Sequence, residues 1–94
     1  MRPEEIIEKK FVASCASLGI NAYKFKIDGT KGAPDRVVFL PKGKVVLIEF
    51  KQPGGETSKH QDQFIKQLKN LGHECHVCDN WEFPLSLIQT YINE

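Results

Sequence analysis

Val37–Lys51 reads VVFLPKGKVVLIEFK, two apolar runs broken by Pro41-Lys42-Gly43 and closed by an acid and a lysine. Proline suits the first position of a tight turn and glycine a left-handed residue that closes it, so the stretch predicts a β-hairpin with a three-residue loop. Leu40 then faces Lys44, and opposed residues carry numbers that sum to 84. Extending the ribbon to its open end sets Asp35, the last residue of GAPD (Gly32–Asp35), across from Glu49; a one-residue slip or a bulge would offset the pair without separating it far. Two carboxylates side by side on an apolar ribbon are costly unless a cation or a proton joins them.

Outward from the hairpin the elements follow in order. Residues 4–18 carry Ile7, Phe11, Cys15 and Leu18 on one stripe, with Pro3, Glu4 and Glu5 suited to a helix start and Gly19 to its end. Ala22–Ile27 alternates apolar and basic residues and reads as a strand with one wet face. Asp28–Pro34 is a glycine-rich loop, Val37–Leu40 and Val45–Phe50 are the hairpin strands, and Gln52–Thr57 is a second loop. Ser58 is a good N-cap for a helix to Leu71, which Gly72 ends. Glu74–Cys78 reads as a short strand, and Pro84–Asn93 as a closing helix with Leu85, Ile88 and Ile92 inward. The fold class is therefore α/β, a central sheet flanked by helices, in a single domain over residues 1–94.

Composition narrows the function. Of the 94 residues, 40% are hydrophobic and 27% charged, an ordinary balance for a soluble globular chain. No apolar run approaches the roughly 20 residues of a membrane helix. The N-terminus is charged where a signal peptide needs its apolar region. Three cysteines fit reduced thiols, so the expected location is the cytoplasm. A net charge of +1 gives no general attraction to polyanions, which leaves local basic groups to bind one: Lys24, Lys26, Lys31 and Arg36 flank GAPD, and Lys59 follows Ser58.

A divalent ion such as Mg²⁺ would satisfy the Asp35–Glu49 pair with oxygen ligands. Lys51 lies two residues beyond Glu49 and points to the same face, where an ammonium can position water or offset developing negative charge. Surface ion pairs, Glu49 with Lys51 and Asp35 with Arg36, account for the same residues. Glu8 projects at the edge of the first helix's apolar stripe, either toward the sheet or snorkelling to solvent. Gln61 shares a helix face with Phe64, Ile65 and Leu68, and is also three residues past Ser58, where it completes a capping box.

Taken in order, IIEKKF with Glu8, AYKFK, GAPDRVVFL, LIEFKQPGG and SKHQ resemble the virus-type replication-repair nuclease (VRR-NUC) domain of the PD-(D/E)xK superfamily. The similarity runs from about Glu4 to Asp79. It implies a restriction-endonuclease-like αβββαβ core with a mixed sheet and a C-terminal helix. It further implies an Mg²⁺-dependent DNA endonuclease of phage or bacterial type, with Mn²⁺ able to substitute. Asp35 and Glu49 match the metal ligands, the Phe50 carbonyl a further one, Lys51 the catalytic lysine, and Glu8 and Gln61 the supporting acid and amide, with Glu8 a further candidate metal ligand. Lys24, Lys26, Lys31, Arg36, Ser58 and Lys59 are the expected DNA contacts. Stand-alone members of this size suggest a homodimer acting on branched DNA such as four-way junctions. The competing class is a nuclease-like fold that binds nucleic acid or a partner without cutting. A phosphorylated-ligand module fits less well, because QPGGETSKH lacks a P-loop lysine-serine signature. His73, Cys75, His76 and Cys78 alternate between the faces of a strand, so they are expected to pack rather than form a structural zinc site.

Overall fold

The computed structural model describes all residues from Met1 to Glu94. The chain folds as α1 (Pro3–Ser17), β1 (Ala22–Lys24), β2 (Arg36–Phe39), a single 3₁₀ turn (Pro41–Gly43), β3 (Val45–Phe50), α2 (Lys59–Asn70), β4 (Glu74–Cys78) and α3 (Glu82–Ile92). The strands lie in the order β1-β2-β3-β4. The first three are antiparallel and β4 runs parallel to β3, reached through α2, so the sheet is mixed. This is the α/β architecture expected.

The hairpin register is the one expected, without slip or bulge: Arg36 pairs with Ile48, Val37 with Leu47 and Phe39 with Val45, each pair summing to 84. Its loop differs in one respect. Gly43 is left-handed as expected, but Lys42 also takes a positive φ, of 64°. That cost is accepted where the chain must reverse within three residues.

Alternation along the strands sorts the core into two layers. Val38, Val46, Ile48, Phe50 and Cys78 pack with Phe11 and Cys15 of α1 and Ile88 of α3. Val37, Leu47 and Cys75 pack on the other face with Ile65 of α2. The two sheet cysteines thus fill opposite cores, both as buried thiols.

Three boundaries depart from the sequence reading. β1 ends at Lys24 rather than Ile27: Phe25 still donates its N–H to the Asp35 carbonyl at 3.0 Å, and beyond it the chain leaves the sheet for the glycine loop. Leu18, placed on the inward stripe, is exposed, because α1 stops at Ser17. α3 begins at Glu82, two residues early, with Pro84 accommodated in the first turn and the Asn80 side chain accepting the Phe83 N–H at 2.8 Å.

Candidate active site

Asp35 immediately precedes β2, and Glu49 is the penultimate residue of β3. Both have odd numbers in the shared register, so both point to the α2 face, as does Lys51. Glu49 is 2% exposed, the one charged residue of the core. Its Oε2 accepts from Gln61 Nε2 at 2.8 Å and lies 3.4 Å from Lys51 Nζ. Its Oε1 is buried with no hydrogen-bond donor. Asp35 Oδ2 accepts the Phe50 N–H at 2.7 Å, which fixes that carboxylate at the strand's end. The two carboxyl groups lie near enough for the charge of Asp35 to act on Glu49.

Burial, and then the charge of Asp35, push the Glu49 carboxyl up to about 7, against the pull of Lys51. Burial also raises Asp35, opposed mainly by the Phe50 N–H. A buried acid with one oxygen orphaned beside another acid is a site short of positive charge.

Gln61 unites the two roles that the sequence left as alternatives. Its Oε1 accepts the Ser58 N–H at 2.8 Å while its own N–H bonds Ser58 Oγ at 3.2 Å, a complete capping box. Its Nε2 meanwhile holds Glu49. The oxygen end of one amide starts the helix and the nitrogen end orients the carboxylate.

Gly32 places this helix start against the GAPD loop. With φ at +88°, it leaves its Cα open to α2: a Cβ there would lie 2.5 Å from the His60 carbonyl carbon and oxygen. Nothing in the sequence showed this contact; only the fold brings the loop and the helix together.

Glu8 is not drawn to the carboxylate pair. Arg36, an even-numbered strand residue, points to the α1 face, where its Nε bonds Glu8 Oε2 at 2.6 Å and its Nη1 donates to the Ala22 carbonyl at 3.1 Å. The Asp35–Arg36 ion pair considered from sequence is therefore replaced by Glu8–Arg36. Lys24 and Lys26 share a cleft with Asp35 and Glu8. Lys31 lies on the opposite side of the GAPD loop near His60. Ser58 and Lys59 sit exposed at the start of α2.

The residues suit a hard divalent cation. Asp35 and Glu49 supply carboxylate oxygens, and the Phe50 carbonyl shares an edge with its N–H, which already faces Asp35. No group of three or more His, Cys, Asp or Glu side chains is disposed to hold a metal. A two-carboxylate set matches an ion that keeps much of its water, as Mg²⁺ does, rather than zinc.

Comparison with known proteins bears on the family and the fold. The family model described as "VRR-NUC domain" matches residues 5–81. A protein of Acyrthosiphon pisum secondary endosymbiont phage 1 named "Putative nuclease p44" is 39% identical over 90 residues, covering 96% of this chain and 95% of its own. A solved structure titled "VRR_NUC domain" superposes with a TM-score of 0.84 at 25% identity, covering 97% of this chain and 99% of that one. No helix is long and apolar enough to cross a membrane.

Proposed function

Because the chain belongs to the VRR-NUC domain family of nucleases, we propose that it is an Mg²⁺-dependent DNA endonuclease, selective for branched structures and acting as a homodimer. The observation that carries the metal dependence is Glu49 Oε1, buried without a donor beside Asp35. When bound, the ion would polarise the phosphoryl oxygen and activate water for attack on phosphorus. Asp35 and Glu49 would hold it, with the Phe50 carbonyl available as a third protein oxygen.

The chain's own groups do the rest. Lys51 sets an ammonium 3.4 Å from Glu49 Oε2, at the edge of the pair, where it offsets negative charge accumulating on the phosphoryl group. Gln61 fixes the Glu49 rotamer through Oε2, which leaves Oε1 without a partner and open to a cation. The Phe50 N–H does the same for Asp35. Lys24 and Lys26 supply positive charge along the adjoining cleft for the DNA backbone. Two such sites related by a two-fold axis suit a two-fold branched substrate, which is the ground for proposing the dimer.

The test is incubation with linear, flapped and four-way DNA, with and without Mg²⁺ or Mn²⁺, alongside sedimentation at micromolar concentration. Cleavage that needs the ion, prefers branched DNA and disappears in Asp35→Asn and Lys51→Ala supports the reading. Asparagine retains an acceptor for the Phe50 N–H, so the fold should survive. Metal-independent cleavage, or activity persisting in either variant, would overturn it. A monomer in sedimentation would remove the dimer alone.

A further inference from the structure

We propose that Arg2 is a substrate-binding residue of this site, gripping a backbone phosphate next to the one that is cut; the inference rests on the nuclease reading. Two clefts open beside the site. One is bounded by Asp35, Glu8, Lys24 and Lys26, the other by Lys51, Gln52 and Gly55 together with the acids Glu4 and Glu56. Arg2 alone lines both. A strand laid across Asp35 and Lys51 from one cleft into the other must pass this guanidinium. Its charge already reaches Asp35.

The chain has two arginines. Arg36 is locked, 14% exposed, between Glu8 and the Ala22 carbonyl. Arg2 is 74% exposed, and its Nε bonds Glu5 Oε1 at 2.7 Å with Glu4 at 3.5 Å. An exposed ion pair of this kind contributes little and exchanges readily. A phosphodiester offers the same fork a bidentate anion, for which guanidinium geometry is suited. The root of the side chain is nevertheless anchored, because the Arg2 carbonyl accepts the N–H groups of both Glu5 and Ile6, at 3.0 and 3.3 Å. Arg2 is thus held over the site by the first turn of α1 while its tip is free to trade Glu5 for DNA.

A brace for the first helical turn would use the same contacts, and the two roles separate experimentally. Arg2→Ala, Arg2→Lys and Glu5→Gln are compared with wild type in steady-state cleavage of the best-cut DNA and in metal-free DNA binding across salt. Loss of a charge-assisted phosphate contact should raise KM about tenfold in Arg2→Ala, with kcat within about twofold. One released counterion fewer should flatten the log–log salt dependence of binding to duplex by about 0.9. Arg2→Lys should recover part of the loss, and Glu5→Gln, which frees the guanidinium, should lower KM. Opposite movements of KM in Arg2→Ala and Glu5→Gln are the signature. If both variants shift only the melting temperature, or both raise KM, Arg2 is a brace and the inference fails. A wild-type protein that neither binds nor cuts DNA would bring down the nuclease reading and this one with it.

Discussion

Replacing Glu49 by glutamine should make the metal-free protein more stable at pH 8 and unable to respond to Mg²⁺. The folded state holds the Glu49 proton with a pKa of about 7 against 4.5 when unfolded. A raised carboxyl binds its proton more tightly in the native state, so stability is fullest below pH 4.5 and is lost as pH climbs to about 7. At roughly 1.4 kcal/mol per pH unit, the loss is about 3 kcal/mol. With Glu49 at 2% exposure, solvent screening takes little from that figure. For a domain of this size it corresponds to a fall of ~10–20 °C in melting temperature. Asp35, raised in the same direction, adds to the fall. Glu74 has the opposite sign, held at about 2 by Tyr91, His76 and Lys44, and its contribution is lost only at pH below 4.5.

In Glu49→Gln the side-chain oxygen can still accept from Gln61, and the new amide nitrogen takes the orphaned position beside Asp35. Melting curves at pH 5 and pH 8, with and without Mg²⁺, for both proteins give the test. Contributions common to both chains cancel in the difference. The wild type should lose stability between pH 5 and 8 and regain ~2–3 kcal/mol with Mg²⁺ at about a hundredfold its Kd. The variant should lack the Glu49 share of that loss and gain nothing from Mg²⁺. A wild type with no extra loss, or a variant less stable than wild type at pH 8 without metal, would refute the view that Glu49 is held under electrostatic stress.

Gln61→Ala should lower both cleavage and melting temperature, since one side chain serves helix and site. Removing the donor to a buried carboxylate costs ~1–3 kcal/mol, and loss of half the capping box adds to it; unchanged melting, read by circular dichroism, would show that the amide does not hold Glu49. Gly32→Ala should cost more than about 1 kcal/mol, because it meets both a positive φ and the His60 backbone. It should also reduce cleavage by moving the GAPD loop off α2, and a variant with normal melting and activity would argue against that packing.

The hairpin was legible because its evidence is local: Pro41 and Gly43 fix the reversal, and the length of that loop sets the register between the two apolar runs. That register places Asp35 and Glu49 together without further information. β1 could not be bounded in the same way, since AYKFKI keeps alternating while pairing ends where the partner strand turns into a glycine loop. Gln61 looked ambiguous because a capping box and a buried-face amide are each sufficient to explain it; that both hold at once depends on the depth at which α2 docks. The Glu8–Arg36 pair and the Gly32–His60 contact are long-range. No spacing rule encodes them, although side-chain alternation already put Arg36 on the α1 face.

The first helix reaches the site through two contacts of its inner face. Glu8 ends on Arg36, and the two part-buried charges neutralise each other at the strand that begins beside Asp35. Three residues further along α1, Phe11 is fully buried against Phe50, with ring centroids 5.4 Å apart and planes tilted by 50°. Phe50 in turn presents the N–H that fixes Asp35. A chain of contacts therefore runs from helix to ring to backbone to carboxylate. α1 sets where Asp35 stands as firmly as Gln61 sets Glu49, and the same helix carries Arg2 at its outer end. The two halves of the carboxylate pair are governed by different helices on opposite faces of the sheet. Their separation, on which any shared cation depends, is thus set by how both helices seat on the hairpin rather than by the hairpin alone.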